Sequence, residues 1–231
     1  MIKTFLISGN RKGIGRFLTE YFLEKGYNVI GCSRSETDLK APNYFHITGN
    51  VSKESDVLKI VDLGHKKFGS IDVLINNAGK ASLNHSLLTP FKTIKDLFET
   101  NFNGTFFLSK ECAKKMMKKK FGRIVNFSTI AVPLNLEGEL IYSSSKSAVE
   151  KMAQIFSKEL SRYNITVNTI GPTPIETDLI KVVPKDKVDE IINKQTIKRF
   201  GTLEDIVNVI NFFIDEKSSF ITGQKIYLGG L

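Results

Sequence analysis

Two residues four apart, Tyr142 and Lys146, form the pair with the clearest chemical promise in this chain of 231 residues. On a helix that spacing sets one above the other on the same face. A free phenol titrates at about pH 10, and a cation within a few Å favours the phenolate, so the pair could serve as a tuned acid or base. A lone Tyr-x-x-x-Lys also arises by chance or for packing; its weight comes from a second motif far upstream. There an apolar run ending at Ser8 passes directly into Gly9-Asn10-Arg11-Lys12-Gly13-Ile14-Gly15 and then into an amphipathic stretch. Strand, glycine loop and helix, in that order, are what a dinucleotide site requires. Glycine lets the backbone turn tightly and approach a pyrophosphate, while the unsatisfied N–H groups of a helix start face its charge.

Cofactor choice is readable at the end of the second apolar run. An NAD-selective site holds the ribose 2′-hydroxyl with an acidic residue there, whereas this chain has Cys32-Ser33-Arg34. With Arg11-Lys12 in the glycine loop, positive charge converges where a 2′-phosphate would lie, so NADP(H) is the expected cofactor.

The loop follows the TGxxxGIG pattern of the short-chain dehydrogenase/reductase family, with Ser8 in place of the usual Thr. Further signatures fall in order: Asn76-Asn77-Ala78-Gly79, Asn101, Gly122-Arg123-Ile124-Val125-Asn126, Tyr142-x3-Lys146 and Phe220-Ile221-Thr222-Gly223-Gln224. Over nearly its whole length the chain resembles that family, most of all the branch typified by 3-oxoacyl-acyl-carrier-protein reductases. The resemblance implies a catalytic set of Asn101, Thr129, Tyr142 and Lys146. In it the tyrosine is the general acid, the lysine lowers its pKa and holds the nicotinamide ribose, and the asparagine completes a proton relay through water. The polarising hydroxyl lies thirteen residues before the tyrosine, which gives Thr129 where relatives usually carry Ser. Ser128 is the alternative, since neighbouring strand residues point to opposite faces. Cofactor contacts carried over are Gly9, Asn10, Arg11, Lys12, Gly13, Ile14, Gly15, Ser33, Arg34, Asn50, Val51, Asn77, Ala78, Gly79, Tyr142, Lys146, Pro172, Ile175 and Thr177. Thr173 replaces a family glycine, and its side chain stands to crowd the nicotinamide edge.

The elements that must position these residues follow from periodicity. Seven apolar runs of strand length, Thr4 to Ser8, Asn28 to Ser33, Tyr44 to Thr48, Ile71 to Asn76, Arg123 to Ser128, Thr166 to Ile170 and Lys225 to Leu228, alternate with helix-length amphipathic stretches. The helices expected are Ile14 to Lys25, Asp56 to Phe68, Asp96 to Lys119, Tyr142 to Ser161, Asp186 to Lys194 and Glu204 to Ile214. Thr93-x-x-Asp96 and Thr202-x-x-Asp205 both have the capping-box shape. The expectation is an α/β Rossmann-type fold: a doubly wound, seven-stranded parallel sheet flanked by helices. A single domain spans 1–231, with a segment at about 179–199 covering the substrate.

Composition sets the outer bounds. Hydrophobic residues make up 41% and charged ones 25%, with 17 Gly and 6 Pro, which excludes collagenous, low-complexity and disordered classes. The net charge of +9 lacks the basic-aromatic interleaving of RNA binders, so no nucleic acid is expected. Lys118-Lys119-Lys120 is the dense cluster, placed where acyl-carrier-protein reductases offer basic residues to an acidic carrier; Tyr163 stands at their second basic position, beside Arg162. The histidines, His46, His65 and His85, are scattered without metal-ligand spacing, so no metal is expected. Cys32 and Cys112 match no disulfide or zinc pattern. With no long apolar run, a cytoplasmic enzyme without a membrane partner is expected. Apolar positions at Phe106, Phe107, Val149, Met152 and Phe156 exceed what one sheet face needs; the resemblance implies that their two helices pair across a two-fold axis, and a second contact through Lys225 to Leu228 would build the expected homotetramer. The substrate expected is a small carbonyl or alcohol: a 3-oxoacyl thioester on acyl carrier protein first, a sugar, polyol or other small ketone second. An NADP-binding sensor without turnover is the alternative outside enzymes.

Overall fold

Continuous apolar runs such as Val73-Leu74-Ile75 can be stable only as strands covered on both faces, and that is where they lie. In the computed structural model, which describes residues 2–176, 180 and 183–230, the strands are β1 Thr4–Ser8, β2 Asn28–Ser33, β3 Tyr44–Thr48, β4 Val73–Asn76, β5 Gly122–Phe127, β6 Ile165–Gly171 and β7 Lys225–Tyr227. They form one sheet in the order β3-β2-β1-β4-β5-β6-β7, and every neighbouring pair is parallel. The helices are α1 Gly13–Glu24, α2 Glu54–Phe68, α3 Phe91–Phe98, α4 Gly104–Lys119, α5 Ala131–Leu134, α6 Leu140–Leu160, α7 Lys185–Lys194 and α8 Leu203–Ile214. The pleat divides the core between two layers. Leu6 and Leu74 face a cluster with Val57 and Ile60 of α2, Leu108 and Met116 of α4, and Ala153 of α6. Phe5, Ile7, Val73 and Ile75 face the other cluster, with Leu18 and Phe22 of α1 and Ile206, Ile210 and Phe213 of α8.

The expected architecture is present, with local corrections. Thr202 does cap α8 in a capping box with Asp205. Thr93 does not cap: the helix starts earlier, behind Pro90, whose fixed φ suits a helix start, so Thr93 falls inside the first turn. The single helix expected over Asp96 to Lys119 is interrupted by a π-helical turn at Glu99–Asn103, which carries Asn101. Val149 and Met152 are buried within the chain itself, so they do not belong to an excess of apolar surface. Phe106 and Phe156 are half-buried and stack on each other with ring centroids 5.9 Å apart. Among the described residues no helix is long and apolar enough to cross a membrane.

Candidate active site

In an open parallel sheet, ligands bind at the carboxyl ends of the strands where the strand order reverses. Here that point lies between β1 and β4, and the two turns leaving those strands are locked together. The Ser8 hydroxyl accepts from the N–H groups of Asn77 and Ala78, each at 3.1 Å, which a serine does as well as the usual threonine. Asn77 returns its side-chain amide to the carbonyls of Ser8 and Gly9 at 3.0 and 3.1 Å. Gly9 has φ +70°, and a Cβ on it would stand 2.9 Å from Ala78 Cα; one on Gly15 would stand 2.4 Å from the Gly9 carbonyl oxygen. Only glycines permit so close a turn. No side chain caps the start of α1, so its first N–H groups remain available to an anion.

These turns border a cavity of about 360 Å³. Gly9, Arg11, Lys12, Gly13, Ile14, Ser33, Arg34, Asn50, Val51, Asn77, Ala78 and Gly79 line it, which gathers most of the expected cofactor contacts in one place. Asn10 and Gly15 do not line it; both are buried, and Asn10 donates to the Tyr44 hydroxyl at 2.5 Å, so their part is to shape the loop. Thr177 lies outside the described residues. At the end of β2, Ser33 donates to the Ser35 carbonyl at 2.6 Å and sits 3.3 Å from Nε2 of His46, while Arg34 is exposed on the cavity edge. The groups fit a nicotinamide dinucleotide with a 2′-phosphate: a glycine cradle that a Cβ would fill, an uncapped helix start, and cations with no carboxylate at the end of β2.

A second cavity, of about 190 Å³, adjoins the first and shares Ile14, Asn77, Gly79 and Lys80 with it. Thr129, Tyr142, Lys146, Pro172 and Ile175 line this one. Tyr142 is half-buried at the start of α6, hydrogen-bonded to the Thr129 side chain; desolvation of its hydroxyl, with the Glu139 charge behind it, pushes the phenol up to about 12 despite that bond. Lys146, one turn on, donates to the Phe127 carbonyl at 2.8 Å, and burial brings its ammonium down to about 8. Lys146 is therefore not what sets the phenol here. Ser128 also borders this cavity, but its hydroxyl is engaged, donating to buried Glu150 of α6, which also accepts from Tyr227 at 2.7 Å and Lys225 at 3.0 Å. Of the two neighbouring hydroxyls, Thr129 meets the phenol and Ser128 ties β5 to α6 and β7.

Asn101 lines neither cavity. Its amide exchanges hydrogen bonds with the Lys80 backbone at 2.8 and 2.9 Å and donates to Ser145 at 2.9 Å. Asn101 Oδ1 and Lys146 Nζ each lie 3.4 Å from where a Cβ on Gly79 would stand, so the asparagine, the lysine and the turn after β4 converge. Thr173 is buried in the wall of the second cavity, and a Cβ on Gly201 would stand 2.5 Å from its methyl, so Gly201 makes room for it. Sequence reasoning missed Lys80, Glu139 and Glu150. A carboxylate three residues before Tyr142 and another four after Lys146 fall on the same helical face, the one signal that could have found the two acids.

A parallel sheet with a glycine cradle at its reversal point, and a phenol, hydroxyl and ammonium in the next cavity, defines a nucleotide-dependent oxidoreductase of the α/β class. Comparison with known proteins makes the assignment narrower. The family described as enoyl-(acyl carrier protein) reductase matches residues 9–230. The 3-oxoacyl-[acyl-carrier-protein] reductase of Buchnera aphidicola is 33% identical over 235 residues, covering 99% of this chain and 96% of that protein. The corresponding Escherichia coli reductase is 29% identical over 234 residues, with 99% and 96% covered. Among solved structures, ElxO with NADP bound superposes with a TM-score of 0.90 at 30% identity, covering 99% of this chain and 97% of that one. A putative gluconate dehydrogenase from Agrobacterium tumefaciens gives 0.88 at 22% identity over 99% of this chain and 94% of that one, a likeness of fold alone. The chain belongs to the short-chain dehydrogenase/reductase family, and it is an oxidoreductase.

Proposed function

We propose that this oxidoreductase uses NADP(H) to interconvert a carbonyl and an alcohol, with a 3-oxoacyl thioester on acyl carrier protein as its foremost substrate. The observation that carries the chemistry is the meeting of the Tyr142 phenol with the Thr129 hydroxyl in a cavity that opens onto the glycine cradle. The cofactor, when bound, supplies the hydride. A phenol held near 12 keeps its proton at neutral pH, which is the form a general acid needs to protonate a forming alkoxide. Thr129 donates to the same oxygen and fixes its position. Lys146, one turn on from the phenol, would hold the nicotinamide ribose, and Asn101, bound to Lys80 and Ser145, keeps the wall behind the lysine in place.

Support for the acyl-carrier substrate is the name that the full-length relatives bear, together with exposed Lys118 and Lys120 at the end of α4, on either side of Lys119, whose ammonium pairs with buried Asp72, and exposed Arg162. A small hydroxylated ketone is the second reading, favoured by the Glu139 carboxyl in an otherwise largely apolar cavity. Cofactor choice is tested by titration at matched salt. NADPH should bind at least about tenfold tighter than NADH, roughly 1.4 kcal/mol, and Arg34→Ala should narrow the gap. Equal dissociation constants would contradict the assignment.

A further inference from the structure

Among the described residues, the cavity beside Tyr142 is lined by one acidic side chain, and the chemistry above does not use it. Glu139 occupies the N-cap position of α6, three residues before Tyr142. Side chains at that position ordinarily accept from the first N–H groups of their helix. Glu139 makes no such bond, and its Oε2 is buried with no hydrogen-bond partner. The carboxyl lines the cavity beside Tyr142, in the company of Ile130, Leu136, Ile180 and Val183. Its charge reaches the phenol, which it raises. A buried acceptor without a donor costs free energy that a ligand's donor can recover. Thr173 Oγ1, in the wall of the same cavity, is also buried and unpartnered, so the space is built to receive polar hydrogens as well as apolar carbon.

We propose that Glu139 is a substrate-recognition residue: its Oε2 accepts a hydrogen bond from a hydroxyl or amide N–H that the substrate carries near the carbonyl it presents to Tyr142 and Thr129. The cavity thereby selects donor-bearing carbonyl compounds over plain ones of the same size. This rests on carbonyl reduction at Tyr142. Two sources supply such a donor, a hydroxyl next to the ketone of a sugar-like substrate and the amide of a pantetheine arm beyond a thioester.

The test compares each donor with an isostere that lacks it, using NADPH and purified protein. One pair is 1-hydroxybutan-2-one against pentan-3-one, in which a methyl stands in place of the hydroxyl. The other is the N-acetylcysteamine thioester of 3-oxobutanoate against its analogue with an ester oxygen in place of the N–H. Wild-type protein should favour the donor member of at least one pair by about tenfold or more in kcat/KM, and the responding pair identifies the source. Glu139→Leu should abolish that preference mainly through KM, whereas Glu139→Gln, whose amide oxygen still accepts, should keep most of it. Glu139→Met, closer in length, takes the place of the leucine variant if that one misfolds. Equal kcat/KM within both pairs overturns the proposal, as does a preference that survives Glu139→Leu. If wild-type protein reduces none of the four, carbonyl reduction is what fails; calorimetric affinities of the same compounds for the NADPH-loaded protein then decide the role of Glu139 by the same criterion.

Discussion

At the scale of single residues, chemistry turns on which of two adjacent hydroxyls meets the phenol. Thr129 bonds to Tyr142, while Ser128 is turned to Glu150. Thr129→Ser should leave turnover within a few-fold, because the donor survives, and Thr129→Ala should lower kcat by about 10²-fold or more. Ser128→Ala should instead act on stability, by roughly 1–3 kcal/mol, since it removes one of the three hydrogen bonds that the buried Glu150 carboxylate accepts. Kinetics and melting of the three variants check this; a larger kcat loss in Ser128→Ala than in Thr129→Ala would reverse the assignment. The count of thirteen residues back from Tyr142 already favoured Thr129, and the alternation of strand faces foretold that the pair would diverge. Glu139 was marked only by its spacing from Tyr142, because nothing in the local run Leu136-Glu137-Gly138-Glu139-Leu140 says that one carboxyl oxygen is buried without a partner. The fit of Thr173 to Gly201 was hidden for a related reason: the two are far apart in sequence and meet only through the fold.

At the scale of elements, the same four-residue pattern gave opposite outcomes. Thr202-x-x-Asp205 caps α8, but Thr93-x-x-Asp96 lies within a helix that Pro90 had already started. A capping box is a bond between groups at a helix end, so it has no meaning until something else sets the end. Helix α6 shows the reverse case, an N-cap position spent on the cavity rather than on capping. Burial lifts the Glu139 carboxyl from 4.5 to about 7. Between those values the folded chain binds a proton that the unfolded chain releases, so stability declines as pH rises through that window. Glu139→Gln removes the titrating group. The variant should therefore gain in Tm relative to wild type on going from pH 4.5 to pH 7.5, and a difference constant across that range would show that the carboxyl is solvated as usual.

At the scale of the whole molecule, strand order and helix layers were legible because each continuous apolar run demanded cover on two faces, and the glycine loop after β1 fixed where the sheet reverses. Assembly was less so. Val149 and Met152 proved to face the chain's own interior, so any two-fold contact through α4 and α6 would have to use the half-buried Phe106, Phe107 and Phe156. Light scattering coupled to size exclusion at micromolar concentration should give about 104 kDa, four copies of a 25.9 kDa chain. A mass of one chain would mean that those rings serve the monomer alone.

The central claim is that Tyr142 gives the proton to a carbonyl oxygen reduced by NADPH. Its most direct measurement is NADPH oxidation with a 3-oxoacyl thioester by wild-type protein and Tyr142→Phe, each paired with a titration of NADPH binding. The phenylalanine variant should lose about 10²- to 10⁴-fold in kcat while its NADPH dissociation constant stays within about threefold of wild type. A variant that keeps more than about a tenth of wild-type turnover would contradict the claim.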